Sequence, residues 1–158
     1  MFRISREKTL NISADRLWQV VTDFPSYRHW NPYVRVEGSI RSHGRLLYSV
    51  RIKPEGRFVT VEPKVVDLTP PNRLMLRAGL SYLLSFEEKI EIIPDEGRCR
   101  FVHTLSLNGI LSILPSKKVL RNFEIILDGI GEGLSRYVSQ NMSRMGVRSR
   151  NGSHPGRR

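Results

Sequence analysis

Hydrophobic positions along the chain follow two periods, and their order predicts an architecture. Residues 2–12 alternate as a first strand. Ser13 then stands as an N-cap with Asp15 in the first turn, and Leu17, Trp18, Val20 and Val21 recur at helical spacing. Phe24-Pro25 stops that helix. Pro25 to Trp30 predicts a second short helix with proline at its first position, ended by Asn31-Pro32. Strands follow. Tyr33 to Ile40 alternates around Val34 and Val36, and Arg45 to Lys53, after Gly44, puts Leu46, Tyr48, Val50 and Ile52 on one face. Arg57 to Leu68 is a long run interrupted by Pro63, which marks a bulge or an edge. Arg73 to Ala78 and two strands between Phe86 and Leu107 complete an antiparallel meander. A single stripe through Leu120, Phe123, Leu127, Ile130, Leu134 and Val138 predicts one long helix over roughly Pro115 to Met145.

Strand, two short helices, six strands and a long helix together predict an α+β fold. A curved antiparallel sheet of about seven strands offers its concave face to the stripe of the last helix. Where helix and sheet do not meet completely, a cavity opens.

Two ionisable residues break the apolar pattern inside this frame. Phe86, Glu88, Ile90 and Ile92 share one face of their strand, as do Cys99, Phe101, His103, Leu105 and Leu107 of the next. Pro94-Asp95-Glu96-Gly97 is a turn signal between them. Tight closure there pairs Ile92 with Cys99, Ile90 with Phe101, Glu88 with His103 and Phe86 with Leu105. A carboxylate and an imidazole then stand together on a face that is otherwise apolar.

Composition bounds the class. The 158 residues suit one domain, and 39% apolar with 26% charged residues is ordinary for a globular chain. No apolar stretch is long enough to span a bilayer, and the amino terminus alternates like a strand without the apolar core of a signal peptide. The lone Cys99 excludes an intramolecular disulfide and suits a reducing, cytoplasmic setting as a small buried hydrophobe. Five arginines and no acid fall between Arg144 and Arg158, a stretch predicted to be a basic, disordered tail after a domain over residues 1–143. Without those five, the net charge of +11 falls to about +6, scattered over many strands with no nucleic-acid motif, so no nucleic-acid partner is expected. His29, His43, His103 and His154 have no metal-ligand spacing, and no motif calls for a metal or nucleotide cofactor. Gly129-Ile130-Gly131-Glu132-Gly133 lies inside the helical stripe, where a dinucleotide loop would not be. Those glycines either bend the helix, admit a ligand beside it, or make room for a packing contact.

Three stretches carry a family resemblance: Ser13 to Pro32 with Leu17-Trp18, Asp23 and Trp30-Asn31-Pro32; Pro63 to Leu74 with Thr69-Pro70-Pro71-Asn72; and Phe101-Val102-His103 leading to Gly109. With the element order, they resemble the START-like, SRPBCC or helix-grip superfamily, in its polyketide cyclase/dehydrase and lipid-transport branch, over about residues 1–143. The resemblance implies a helix-grip fold around a hydrophobic pocket. It also implies an acid and an imidazole in the wall, though such proteins often carry the histidine on the strand of Glu88 and a glutamate at the position of Leu105. The superfold hosts carriers, receptors and enzymes alike.

The candidate wall residues are Trp30, Tyr48, Phe58, Phe86, Phe101, Leu105, Phe123 and Leu127, whose apolar bodies suit a flat or unsaturated ligand and serve equally as core. Tyr33 and Arg35 are candidates for the mouth, although alternation turns Arg35 to solvent. Glu88 and His103 are candidates to orient a ligand carbonyl or hydroxyl, or to act as general acid and base. Three functions stay open: a carrier of a hydrophobic, polyketide- or lipid-like small molecule; a cofactor-independent cyclase, dehydratase or isomerase; or a basic surface or tail for anionic lipid or nucleic acid. Ligand identity and oligomeric state are not encoded in these patterns.

Overall fold

The computed structural model describes residues 1–41, 45–80, 82–113 and 116–150, the side chains of 111, 113 and 143–150 excepted. Strand β1 (Phe2–Leu10) leads to α1 (Ala14–Thr22), a 3-10 turn at Phe24–Ser26 and α2 (Tyr27–Trp30). Seven more strands follow: β2 (Val34–Glu37), β3 (Leu47–Val50), β4 (Val59–Val61), β5 (Lys64–Thr69), β6 (Arg73–Leu80), β7 (Leu84–Asp95) and β8 (Arg98–Asn108). A 3-10 turn at Ile110–Ile113 precedes α3 (Lys117–Arg150). The fold is the expected α+β arrangement of antiparallel strands against a long carboxy-terminal helix.

Local chemistry sets the boundaries. The Ser13 hydroxyl accepts from the Arg16 backbone amide and caps α1, which buries Leu17, Trp18 and Val21. The Asn31 side chain accepts from the amides of Tyr33 and Val34 at 3.0 and 2.9 Å, turning the chain out of α2 into β2. Tyr27 donates to the Val21 carbonyl at 2.6 Å and packs on Trp30, whose indole donates to Ser26.

Among the described residues eight strands form where about seven were expected, because Pro63 breaks the run from Arg57 to Leu68. Residues before it join a three-stranded sheet in the order β2-β3-β4, and residues after it join a five-stranded sheet in the order β1-β8-β7-β6-β5. Strand β3 is also shorter than the expected Arg45 to Lys53, and Ser42, His43 and Gly44 lie outside the described residues.

The β7–β8 hairpin corrects the expected register. Asp95 pairs with Arg98, so the loop is Glu96-Gly97 alone, with φ of 40° and 81°. Two successive positive φ angles make the short hairpin turn that matches strand twist, and this register sets Gly97 at the second of them, where the expected pairing would set Glu96. Partners shift by two: Glu88 faces Leu105, and His103 faces Ile90. A shift of two preserves the face of every side chain.

Helix α3 lies across the larger sheet. It is continuous through the three glycines rather than broken there, and the close neighbours of the glycines explain their size. A Cβ at Gly129 would come 2.5 Å from the Tyr33 ring, one at Gly133 would collide with the Trp30 carbonyl oxygen, and one at Gly131 would approach Lys8. The glycines are therefore packing contacts that seat the helix against the α2–β2 connection on one side and β1 on the other. The helix continues through Arg150, beyond the expected Met145; its expected start at Pro115 and the tail residues 151–158 lie outside the described residues. Among the described residues, no helix is long and apolar enough to cross a membrane.

Candidate functional site

Three layers meet incompletely at one end of the molecule and leave a cavity of about 350 Å³, near the lower end of the range for ligand sites. The small sheet contributes Tyr48, Val50 and Val61, and α3 contributes Phe123, Ile126 and Ile130. The large sheet contributes Ala78, Gly79, Leu84, Phe86, Glu88, Leu105 and Leu107. Leu84 and Val61 are 40% and 36% exposed, which puts the mouth between the β6–β7 turn and β4. Gly79, with φ of 102°, lets β6 pass close to the Leu84 carbonyl at that mouth, a conformation that side chains resist.

Successive rows of the large sheet give the cavity its depth. Ala78, Phe86, Leu107 and Phe2 stand in one row, with Phe123 stacked on Phe2 and tilted against Phe86 at ring separations of 6.4 and 6.3 Å. Leu76, Glu88, Leu105 and Ile4 form the next, and Leu74, Ile90, His103 and Arg6 the one beyond. Cavity-lining residues of β7 and β8 stop at the row of Glu88. The carboxylate thus stands at the floor, four residues or about 13 Å of strand from Leu84.

Glu88 and His103 are 6% and 2% exposed, and His103 Nε2 lies 2.7 Å from Glu88 Oε1. The contact runs diagonally between rows, a span that two long side chains can bridge. Tyr48, from the small sheet, lines the same cavity close enough for its phenol to feel the Glu88 charge. Burial first, then the Glu88 charge, pushes the Tyr48 phenol well above its ordinary value; the same two causes, with Asp23 a third, raise Tyr27. His103 Nδ1 is buried with no hydrogen-bond partner among the described residues. With Nε2–H donating to Glu88, Nδ1 is a bare acceptor; the opposite tautomer would bury an orphaned N–H, the rarer defect.

The structure distributes the candidate residues unevenly. Glu88, Tyr48, Phe86, Leu105 and Phe123 share the cavity wall. His103 does not reach it and stands behind Glu88. Trp30, Phe101 and Leu127 are buried elsewhere in the core: Trp30 against Tyr27, and Phe101 beside His103 at 5.7 Å between rings. Phe58 is turned outward, beneath the guanidinium groups of Arg35 and Arg51 at 5.6 and 4.7 Å from its ring. Arg35 is half-buried rather than free in solvent and donates to the carbonyls of Asn31 and Val34. Desolvation and the nearby Arg51 pull it below its ordinary value. The Tyr33 ring is buried beside Gly129 and is not part of the mouth.

Wall residues absent from the sequence-based set are Val50, Val61, Ala78, Gly79, Leu84, Leu107, Ile126 and Ile130. Ile126 and Ile130 lie on the same helical stripe as Phe123, and Leu107 on the same strand face as Leu105, so the signal was present as periodicity. Cys99 is fully buried, and burial raises its thiol. Among the described residues no group of three or more His, Cys, Asp or Glu is arranged to hold a metal ion; His154 lies outside them.

Known structures share this architecture. A START superfamily protein from Mycobacterium smegmatis superposes with a TM-score of 0.71 over 87% of this chain and 97% of its own, at 19% identity. A protein from Thermus thermophilus gives 0.69 over 89% and 99%, at 16% identity. The ginseng major latex-like protein 151 from Panax ginseng gives 0.65 over 86% and 96%, at 7% identity. At such identities the likeness is one of fold. No curated protein matches the chain by sequence. The family model described as polyketide cyclase / dehydrase and lipid transport matches residues 1–145, and the chain belongs to that family.

Proposed function

We propose that this domain binds a hydrophobic, polyketide- or lipid-like small molecule in the cavity, its polar end directed at Glu88 and its apolar body held by Phe86, Leu105, Phe123 and Ile126. The observation that carries the reading is the contrast within the wall: apolar on nearly every side, with Tyr48 and Glu88 its two polar side chains. Apolar enclosure supplies affinity, and one fixed polar group supplies orientation. Titration with the neutral dye N-phenyl-1-naphthylamine, followed by mass spectrometry of ligand extracted from purified protein, tests it. Saturable dye binding that the extract displaces is expected. Absence of dye binding overturns the reading.

A second reading is favoured by the 2.7 Å contact between His103 and Glu88. Glu88 would act as a general base on the bound molecule, in an enolisation, dehydration or ring closure, with His103 holding the carboxylate in place. In that case Glu88→Gln abolishes turnover while ligand still binds. In a carrier, the same variant shifts affinity only.

A further inference from the structure

We propose that the cavity selects an amphiphile whose buried end is a hydrogen-bond donor, a hydroxyl or an amine, and discriminates against one ending in a bare acceptor or an anion. The proposal rests on the ligand-binding reading above and specifies the chemistry of the buried end.

The donor already present at the floor determines what is missing there. His103 Nε2–H points at the Glu88 carboxylate at 2.7 Å. Glu88 therefore accepts at that contact, and a carboxylate accepts at about four lone-pair sites and donates at none. Tyr27, the other phenol near Glu88, is occupied by the Val21 carbonyl at 2.6 Å. The remaining capacity of Glu88 is therefore acceptor capacity, and among the described residues no other charged group lines the cavity. A ligand hydroxyl completes the carboxylate shell. An ether or ester oxygen set there meets lone pairs with lone pairs, and a ligand carboxylate adds like charge in an apolar enclosure.

Three molecules of equal chain length separate these cases: decanol, decyl methyl ether and decanoate, each displacing N-phenyl-1-naphthylamine from the full chain at pH 8. Decanol is expected to displace the dye at a concentration roughly tenfold or more below that of the ether, the discrimination typical of one hydrogen bond to a charged group. Decanoate is expected to be weakest. Glu88→Gln offers the ligand an amide donor, so the alcohol-to-ether ratio should fall to within about threefold, whereas Tyr48→Phe keeps the charge and should preserve the preference. Equal displacement by alcohol and ether in the wild-type protein overturns the proposal, as does a ratio that Glu88→Gln leaves unchanged. Should that variant fail to fold by circular dichroism, the wild-type ratio decides alone. Failure of the dye itself to bind removes the cavity reading beneath the proposal, a result distinct from binding without discrimination.

Discussion

His103 donates to Glu88 across a diagonal of the β7–β8 pair, 2.7 Å from residue to residue although neither is the other's cross-strand partner. Both side chains are almost wholly buried, so each depends on the other for satisfaction. Removing only the imidazole, as in His103→Ala, should cost about 3–5 kcal/mol, because a buried carboxylate loses its partner. Replacing both, as in Glu88→Leu with His103→Leu, should recover most of that loss. Urea unfolding midpoints of the two singles and the double measure the coupling; additive losses would show that the pair does not act as a unit.

Filling the cavity should separate binding from stability. Ala78 lines the wall beside Phe86, and Ala78→Phe puts a ring where the ligand would lie. Stability should hold or rise by about 0.5–2 kcal/mol, as for other cavity-filling changes, while dye affinity falls at least about tenfold. A variant that keeps full dye affinity would move the binding site elsewhere.

The glycines of α3 make opposite predictions within one helical turn. Gly131→Ala adds a methyl near the flexible end of Lys8, and the helix should gain up to about 1 kcal/mol. Gly133→Ala drives a methyl into the Trp30 carbonyl, and the overpacking should outweigh that gain, for a net loss of about 1–2 kcal/mol. Thermal unfolding of the two variants side by side checks the sign of each.

Alkaline stability should follow the two buried phenols. Tyr27 and Tyr48 are both raised above the ordinary value of 10.0, so the folded state holds protons that the unfolded chain releases. Their contribution is complete below about pH 10 and is lost as pH climbs from there toward the folded values. Urea midpoints should be flat from about pH 7 to 9 and fall above about pH 10, with Tyr48→Phe shallower than wild type. A wild-type midpoint that stays level to about pH 11 would contradict the burial of these hydroxyls.

Strand alternation made the Glu88–His103 meeting legible, although the pairing it rested on was displaced by two residues. Alternation reports the face of a side chain, and an even slip leaves the face intact. It does not report how far along that face a residue lies. Phe101 and Phe86 carry the same inward signal, yet one is sealed in the core and the other lines the cavity, a difference set by what packs over each row. Pro63 was visible as an interruption. That the chain there leaves one sheet for another depends on contacts far away in sequence, and so does the outward turn of Phe58 beneath two arginines. The glycines of α3 presented three readings in the sequence; the choice among them required Tyr33, Lys8 and Trp30 to be set beside them.

The seating of α3 has a further consequence for the domain. Gly129 and Gly133 bring the helix down onto the α2–β2 connection until it touches Tyr33 and the Trp30 carbonyl, and Ile126 and Ile130 are carried on that same rod. The ceiling of the cavity is thus set by spacers outside it. In this domain, chamber size can drift by exchanging a hydrogen for a methyl where no guest molecule touches, leaving the lining untouched.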